Sequence, residues 1–103
     1  MAQFRVLWAP QALDDLKDIY DYIYEHSPKG ADRIFDTLLD LGDSLADMPE
    51  RFPVEPLLEQ QPHIFRFIPK WNYKIIYRVN HTANLVIIAK IFSTRQNPTS
   101  IEI

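Results

Sequence analysis

The stretch Asn72-Tyr-Lys-Ile-Ile-Tyr-Arg-Val79 decides the fold, because its residues alternate in character with a period of two. The aromatic and β-branched side chains of one set share a side of the pattern: Tyr73, Ile75, Tyr77 and Val79. The other side of the pattern consists of Lys74, Ile76 and Arg78. The alternation predicts a β-strand with one face toward a core and one face that carries positive charge.

Two apolar stretches flank this strand and predict its neighbours in a sheet. Ile64-Phe-Arg-Phe-Ile68 precedes it, and Leu85-Val-Ile-Ile-Ala-Lys-Ile-Phe92 follows it. Between the central strand and the stretch that follows it, Asn80-His-Thr-Ala-Asn84 is rich in turn-forming residues. Three consecutive strands with short connections form an antiparallel meander.

The N-terminal half predicts one strand and two amphipathic helices. Gln3–Trp8 alternates as a strand does, and Pro10 occupies a position that favours the first helical turn. Ser27-Pro28 marks the start of a second helix, which Pro49 ends. The short link between the helices predicts an antiparallel hairpin whose apolar side covers the sheet. We therefore predict an α+β fold: an N-terminal strand and an antiparallel helical hairpin packed on a C-terminal three-stranded antiparallel sheet.

The segment between the second helix and the sheet predicts an irregular connector. Pro49–Pro62 contains four prolines, which stiffen a chain by fixing φ. We expect three apolar side chains to attach it to the body of the domain: Val54, Leu57 and Leu58.

Length and composition place the chain among single folded domains. It has 103 residues, of which 47% are hydrophobic, so we predict one domain over residues 1–103. It contains no cysteine, no signal-peptide pattern and no apolar run long enough to span a bilayer. These features predict a cytoplasmic protein without a membrane partner.

Charge is distributed unevenly along the chain. Residues 1–62 hold 13 acidic and 5 basic side chains, whereas residues 63–103 hold 1 acidic and 6 basic ones. The C-terminal sheet can therefore carry a positive face although the whole chain has a net charge of −3. Lysine and arginine can also serve simply to protect exposed strands from aggregation.

Several classes of chemistry have no support in the sequence. Only two glycines exist, which excludes a phosphate-binding glycine loop. The three histidines, His26, His63 and His81, lack the spacing of metal ligands. We therefore predict no metal site and no cofactor. Tyr20, Tyr22 and Tyr24 lie on or beside the first helix, where some should pack and the others would be available to a partner.

The remaining functional signal is a set of basic residues with aromatic neighbours. We predict a target-binding surface made of Arg66, Lys70, Trp71, Lys74, Arg78, Lys90, Phe92 and Arg95. Arginine beside aromatic side chains is typical of protein-interface hot spots and also of RNA-binding surfaces. A metal-free ribonuclease would use such charges to stabilise phosphoryl transfer. It would usually also need an acid or base, and the sequence after Ile91 contains no His or Tyr.

The order of these motifs resembles the ParE branch of the ParE/RelE toxin superfamily, also called plasmid stabilisation proteins. Trp8-Ala-Pro-Gln-Ala12 with Leu16, Ile19, Tyr22 and Ile23 is similar to the opening stretch of the family. Leu45–Pro49 is similar to its "L…P" ending of the second helix. Asn72–Tyr77 is similar to its "Y-R-I-I-Y" strand, with Lys74 in place of arginine. Ile88–Pro98 is similar to its closing "V-x-H-x-R-x-x-P", with Ser93 in place of histidine.

The resemblance covers essentially the whole chain and implies a bacterial toxin with a cognate antitoxin as partner. The ParE branch is associated with inhibition of DNA gyrase, and we expect that activity, exerted by direct binding through the basic sheet face and the Ser93–Pro98 turn. Two alternatives stay open. The first is a RelE-like, ribosome-dependent mRNA endoribonuclease, for which the resemblance implies Lys74, Arg78 and Arg95 as the charge-stabilising residues. The second is a non-toxic member that only binds its partner. Relatives of the RelE branch usually have a His or Tyr near the C-terminus, where this chain has Ile101. A homodimer or a toxin–antitoxin hetero-oligomer would fit the resemblance.

Overall fold

The computed structural model describes residues 3–95 and 101–103 and forms the predicted α+β fold. Its helices and strands follow in this order: β1 Arg5–Trp8, α1 Pro10–Tyr24, α2 Pro28–Asp43, β2 Phe65–Lys70, β3 Tyr73–Asn80 and β4 Leu85–Ser93. Short 3₁₀ turns at Ser44–Ala46, Pro49–Arg51 and Pro56–Leu58 lie between α2 and β2. No helix in the described residues is long and apolar enough to cross a membrane.

Both helices begin as their sequences indicate. Pro10 and Pro28 each occupy the first turn, where a missing N–H costs no hydrogen bond. Ser27 caps α2, because its Oγ accepts a hydrogen bond of 3.0 Å from the N–H of Gly30. The α-helical part of α2 stops at Asp43, earlier than the predicted end at Pro49, and the chain continues into a 3₁₀ turn.

The four strands form one sheet in the order β1-β4-β3-β2. The last three strands are the predicted antiparallel meander, and β1 joins it in parallel beside β4, with Arg5 opposite Leu85. The register between β3 and β4 shifts between Ile76 and Tyr77, where β4 contains one additional residue. Because of this additional residue, the alternation of side chains between the two faces of the sheet is interrupted within β4.

The two faces of the sheet are covered differently. The helical hairpin packs on one face, where the buried core contains Leu16, Leu38, Ile75, Tyr77 and Ile88. The opposite face carries a smaller buried cluster of Leu58, Phe65, Ile76 and Phe92, against which Ile101 packs. The side of β3 that we expected to be polar therefore lies partly under the connector and the C-terminal residues.

The connector protects the outer edge of the sheet. Val54 forms an isolated antiparallel bridge with Arg66, and the N–H of Glu55 donates to the carbonyl of Phe65 over 2.8 Å. Leu58 is buried as predicted, whereas Val54 and Leu57 remain exposed. The connector residue that is buried in the protein interior beside Leu58 is Glu55, whose side chain has 0% exposure.

Candidate functional site

The register of the sheet divides the predicted basic surface between two faces. Arg66 pairs with Tyr77 and Lys70 pairs with Tyr73, so both basic side chains lie on the face of the sheet that packs on the helices. Lys74 and Arg78 alternate with those tyrosines and follow the opposite face. The basic residues of β2 and β3 therefore do not form one continuous positive surface.

Lys74 is held inside the protein by an acidic partner. Its Nζ lies 2.8 Å from Oε1 of Glu55 and 4.4 Å from the centre of the Phe67 ring. The other carboxylate oxygen of Glu55 accepts a hydrogen bond of 3.1 Å from the N–H of Leu57. The side chain of Lys74 is 20% exposed. Its charge is therefore committed to an internal ion pair that attaches the connector to β3.

Arg66 and Lys90 also have partners within the chain. Arg66 donates over 2.7 Å to the carbonyl of Phe52, and its guanidinium lies 3.8 Å from the carboxylate of Glu50. The ammonium of Lys90 lies 3.8 Å from Oδ2 of Asp15 on α1. Both basic side chains thus contribute to tertiary contacts.

Phe92 and Arg78 occupy the face of the sheet that is turned away from the helices. Phe92 is 2% exposed and belongs to the smaller apolar cluster, so its side chain is not at the surface as the sequence prediction required. Arg78 is partly exposed, pairs with Phe65 and Ile87 across the strands, and forms no salt bridge with any residue in the described part of the chain.

The remaining predicted residues come together at one end of the molecule. A groove of about 420 Å³ lies between the last turn of α1 and the first two turns of α2 on one side and the turn that joins β2 to β3 on the other. Its lining, which we call the hairpin groove, consists of Tyr22, Ile23, Gly30, Arg33, Ile34, Trp71, Asn72, Tyr73 and Arg95. Trp71 and Arg95 are members of the predicted surface, and Lys70 adjoins them with its Nζ 4.9 Å from the centre of the Trp71 ring.

Backbone contacts fix the position of Arg95 in the hairpin groove. The carbonyl of Asn72 accepts two hydrogen bonds from Thr94, one of 2.8 Å from its N–H and one of 3.0 Å from its hydroxyl. The N–H of Arg95 donates to Oγ of Ser93 over 3.3 Å. The end of β4 is thereby attached to the β2–β3 turn. The rest of the predicted Ser93–Pro98 turn, residues 96–98, lies outside the described residues.

Trp71 adopts an unusual backbone conformation. Its φ is 51°, in the left-handed region that bulky residues rarely enter, and 48% of its side chain is exposed. A residue with a Cβ carries a cost of about 1–2 kcal/mol in this region. Observed strain of this kind often marks a functional position.

The first-helix tyrosines differ in their surroundings. Tyr20 packs edge-on against Phe35 at 5.7 Å and donates to Asp32 over 2.9 Å, and this hydrogen bond raises the pKa of its phenol. Tyr22 is 66% exposed at the mouth of the hairpin groove, as expected for a residue available to a partner. Tyr77 is the buried tyrosine of β3, and desolvation raises its pKa to about 12.

The chemistry available to the hairpin groove is recognition through cations and aromatic rings. The histidines lie elsewhere, at the end of α1, before β2 and in the β3–β4 turn. No group of three or more His, Asp or Glu side chains within residues 3–95 and 101–103 converges on a point that could hold a metal. Two groove residues with functional side chains, Arg33 and Tyr73, were not part of the predicted target-binding surface. Arg33 is one of several charged residues on α2, and Tyr73 belongs to the core-facing set of β3.

Solved structures that share this fold include three toxin–antitoxin assemblies. A chromosomal ParDE toxin–antitoxin system from P. aeruginosa superimposes with a TM-score of 0.72 over 90% of this chain and 98% of its own, at 19% identity. The RelBE2 toxin–antitoxin complex of Mycobacterium tuberculosis gives 0.62 at 19% identity, covering 90% and 93%. The RelE–RelB complex of Pyrococcus horikoshii OT3 gives 0.62 at 22% identity, covering 94% and 100%. The fold is therefore that of the ParE/RelE toxins.

Sequence comparison identifies the family. Residues 6–98 match the model of the ParE toxin of the type II toxin–antitoxin system parDE. A curated relative, Toxin RelE2 of Caulobacter vibrioides, is 37% identical in an alignment of 90 residues that covers 82% of this chain and 100% of that protein. The chain belongs to the ParE toxin family of type II toxin–antitoxin systems.

Proposed function

We propose that this protein is a toxin that acts by direct protein–protein contact, inhibits DNA gyrase and is neutralised by a cognate antitoxin. The observation that carries the choice of a binding mechanism is the ion pair between Lys74 and the buried Glu55. A ribonuclease would need the charge at this position to stabilise a phosphoryl group. A lysine whose ammonium already contacts a carboxylate at 2.8 Å contributes little net positive charge to a substrate.

The proposal of an antitoxin partner is supported by the solved structures that share this fold. Structures that share it include a ParDE toxin–antitoxin system, the RelBE2 toxin–antitoxin complex and a RelE–RelB complex. We expect the antitoxin gene to lie beside the gene for this chain. Co-expression of the neighbouring gene should restore the growth of cells that produce the toxin and should yield a complex that co-purifies.

A RelE-like endoribonuclease is the second candidate, because the relative at 37% identity is named Toxin RelE2. The predicted ribonuclease set does not assemble around one point, since Lys74 faces Glu55 whereas Arg95 lines the hairpin groove. The hairpin groove does, however, contain a phenol and two guanidinium groups, from Tyr73, Arg33 and Arg95. Ribonuclease activity would therefore require these residues as its acid and its charge-stabilising groups.

The experiment that separates the two candidates is induced expression in a bacterial host with pulse-labelling of DNA and protein synthesis. We expect DNA synthesis to fall first, and the purified protein to inhibit supercoiling by purified gyrase. The double variant Lys74→Met/Glu55→Leu, which removes the ribonuclease candidate charge together with its buried partner, should still inhibit supercoiling by purified gyrase. An early fall in protein synthesis, with mRNA cut on ribosomes, would replace the gyrase proposal with the ribonuclease one. A folded protein that arrests neither synthesis would be a non-toxic member that only binds its partner.

A further inference from the structure

We propose that the hairpin groove binds an extended segment of a partner protein in which a carboxylate lies next to a large apolar side chain. The inference deepens the proposed function and rests on it, since a toxin that acts through protein contact needs a surface that recognises polypeptide. The occupant is defined by the two kinds of side chain that the groove presents, cationic and apolar.

The cationic side of the hairpin groove is free to bind an anion. Arg33 and Arg95 are both exposed, and neither forms a salt bridge with any other residue in the part of the chain that the structure describes. By contrast, Arg66, Lys74 and Lys90 all have acidic partners within the chain. Among the described residues that line the groove, none has a carboxylate. Arginine forms paired hydrogen bonds with a carboxylate, so an Asp or Glu side chain is the natural anion for this position.

The apolar side of the hairpin groove suits one large side chain. Ile23 and Ile34 form part of its wall, and the half-exposed Trp71 and the exposed Tyr22 extend from its rim. Its volume of about 420 Å³ accommodates a few side chains rather than a folded domain. Tryptophan, tyrosine and arginine are the residues that most often dominate the binding energy of protein interfaces.

The surroundings of the groove favour a polypeptide over a nucleic acid. Asp21 and Asp32 stand next to the groove residues Tyr22 and Arg33 in the chain, and both are exposed. A nucleic-acid strand carries a phosphate on every nucleotide, so its next residues would be repelled by this acidic surface. A peptide with one or two carboxylates can place them on Arg33 and Arg95 and continue with uncharged residues. Charge complementarity therefore selects a locally acidic peptide.

The conformation of Trp71 provides a variant that separates binding from folding. Glycine adopts a φ of 51° without strain, so Trp71→Gly should remove the aromatic contact and relax the turn. We expect this variant to unfold at the same temperature as the parent protein or at a higher one. Its binding should nevertheless weaken by at least about tenfold, as for the loss of an interface hot spot.

The test is selection of a displayed library of random nonapeptides on the purified full chain. We expect the enriched peptides to share an Asp or Glu within two positions of Phe, Trp or Leu. Synthetic versions labelled with fluorescein then give binding curves by anisotropy. The double variant Arg33→Glu/Arg95→Glu should lose binding by at least about tenfold. The matched control Arg5→Glu/Lys29→Glu changes the net charge equally at exposed positions outside the groove, and it should bind as the parent does.

Four results would overturn the proposal. The selection could yield no shared pattern, or the enriched peptides could bind the groove variants as tightly as the parent. A labelled uridine nonamer could bind more tightly than the selected peptides, which would make the groove a nucleic-acid site. Sedimentation could show a dimer that Arg33→Glu/Arg95→Glu dissociates, which would make a second copy of the chain the occupant.

Failure of the groove proposal is distinguishable from failure of the proposed function. Peptide binding is measured on purified protein, whereas gyrase inhibition is measured by DNA synthesis and supercoiling. Gyrase inhibition without any peptide pattern would overturn the groove alone. Peptide binding without an effect on DNA synthesis would leave the groove in place and overturn the gyrase proposal.

Discussion

Gly42 is a residue at which the helical hairpin closely approaches the sheet. A Cβ atom added there would lie 2.8 Å from Cδ1 of Ile88 and would overlap the ring of Trp8. That ring cannot move freely, because its Nε1 donates to Oδ1 of Asp43 over 3.0 Å. The absence of a side chain at residue 42 therefore sets the distance between α2 and the strands β1 and β4.

Gly42→Ala should destabilise the protein although alanine is the better helix former. Overpacking a core costs about 1–3 kcal/mol, and the gain in helix propensity returns no more than about 1 kcal/mol. We expect urea denaturation to show a net loss of about 1–2 kcal/mol. Asp40→Ala, at an exposed position of the same helix, is the control and should change stability by less than about 0.5 kcal/mol. Equal effects at the two positions would mean that the close approach is easily relieved.

Ionisation of the buried Tyr77 should make the stability of the protein depend on pH in the alkaline range. Its hydroxyl donates to the carbonyl of Pro49, and desolvation raises its pKa to about 12. The unfolded chain ionises this phenol near pH 10, so between pH 10 and 12 the folded state binds more protons and stability falls as pH rises.

The expected alkaline loss attributable to Tyr77 is up to about 2 kcal/mol after allowance for solvent screening. It should be complete near pH 12 and absent below pH 9. Urea denaturation of the parent and of Tyr77→Phe across this range isolates the contribution, since the other tyrosines and lysines titrate in both proteins. Parallel pH profiles for the two proteins would contradict the assignment.

At the scale of the elements, Asp15 joins the first helix to the free edge of β4. Its Oδ2 accepts a hydrogen bond of 3.0 Å from the N–H of Ile91, and its Oδ1 accepts one of 2.8 Å from Gln11. The pairing of β1 with β4 ends at Ile88, so a side chain takes the place of the next strand. Helical periodicity could not have revealed this role of Asp15, because a helix pattern alone contains no information on which strand atoms lie beyond it.

Asp15→Ala should therefore behave differently from a change at its neighbour Asp14, which is exposed. Loss of Asp15 leaves the Ile91 amide unsatisfied and removes the partner of Lys90, at a cost of about 1–3 kcal/mol. Asp14→Ala should change stability by less than about 0.5 kcal/mol. Amide exchange measured by NMR gives a local check, since the Ile91 amide should exchange faster in the first variant only.

The connector is attached to β3 through the ion pair of Glu55 and Lys74. Removing one partner of such a buried pair leaves an uncompensated charge and costs about 3–5 kcal/mol. We expect a loss in this range for Lys74→Met, and recovery of most of it in Lys74→Met/Glu55→Leu. Lys29→Met, at an exposed position, is the control. A cost below about 1 kcal/mol for the first variant would show that Glu55 is readily hydrated.

At the scale of the whole molecule, local periodicity predicted every helix and strand but not their mutual register. Alternation within one strand is enough to predict that Ile75 and Tyr77 lie on the same face of the sheet. The sheet face on which Arg66 and Lys70 lie depends instead on the two-residue turn at Trp71 and Asn72, which pairs them with Tyr77 and Tyr73. A single positive sheet face was therefore the wrong picture of how the basic side chains are arranged, although each strand was assigned correctly.

The candidate site depended even more on tertiary structure. Trp71 and Arg95 were predicted from composition, and the hairpin groove adds Arg33 from a helix about 40 residues away in the chain. Nothing in the local pattern of α2 distinguishes Arg33 from the other charged residues around it. The same applies to Glu55, because the path of an irregular connector has no periodicity from which burial can be inferred.

The parallel pairing of β1 with β4 has a consequence for when the protein becomes active. Arg5 contacts Leu85, so the first strand finds its place only after nearly the whole chain is available. Contacts so distant in sequence slow folding, because a long loop must close before they are formed. A chain that ends at Ala83 should show no cooperative unfolding transition, whereas one that ends at Arg95 should retain it. A nascent chain is thus expected to remain harmless on the ribosome until Leu85–Ser93 has emerged, which gives an antitoxin that is already present time to meet the toxin as it folds.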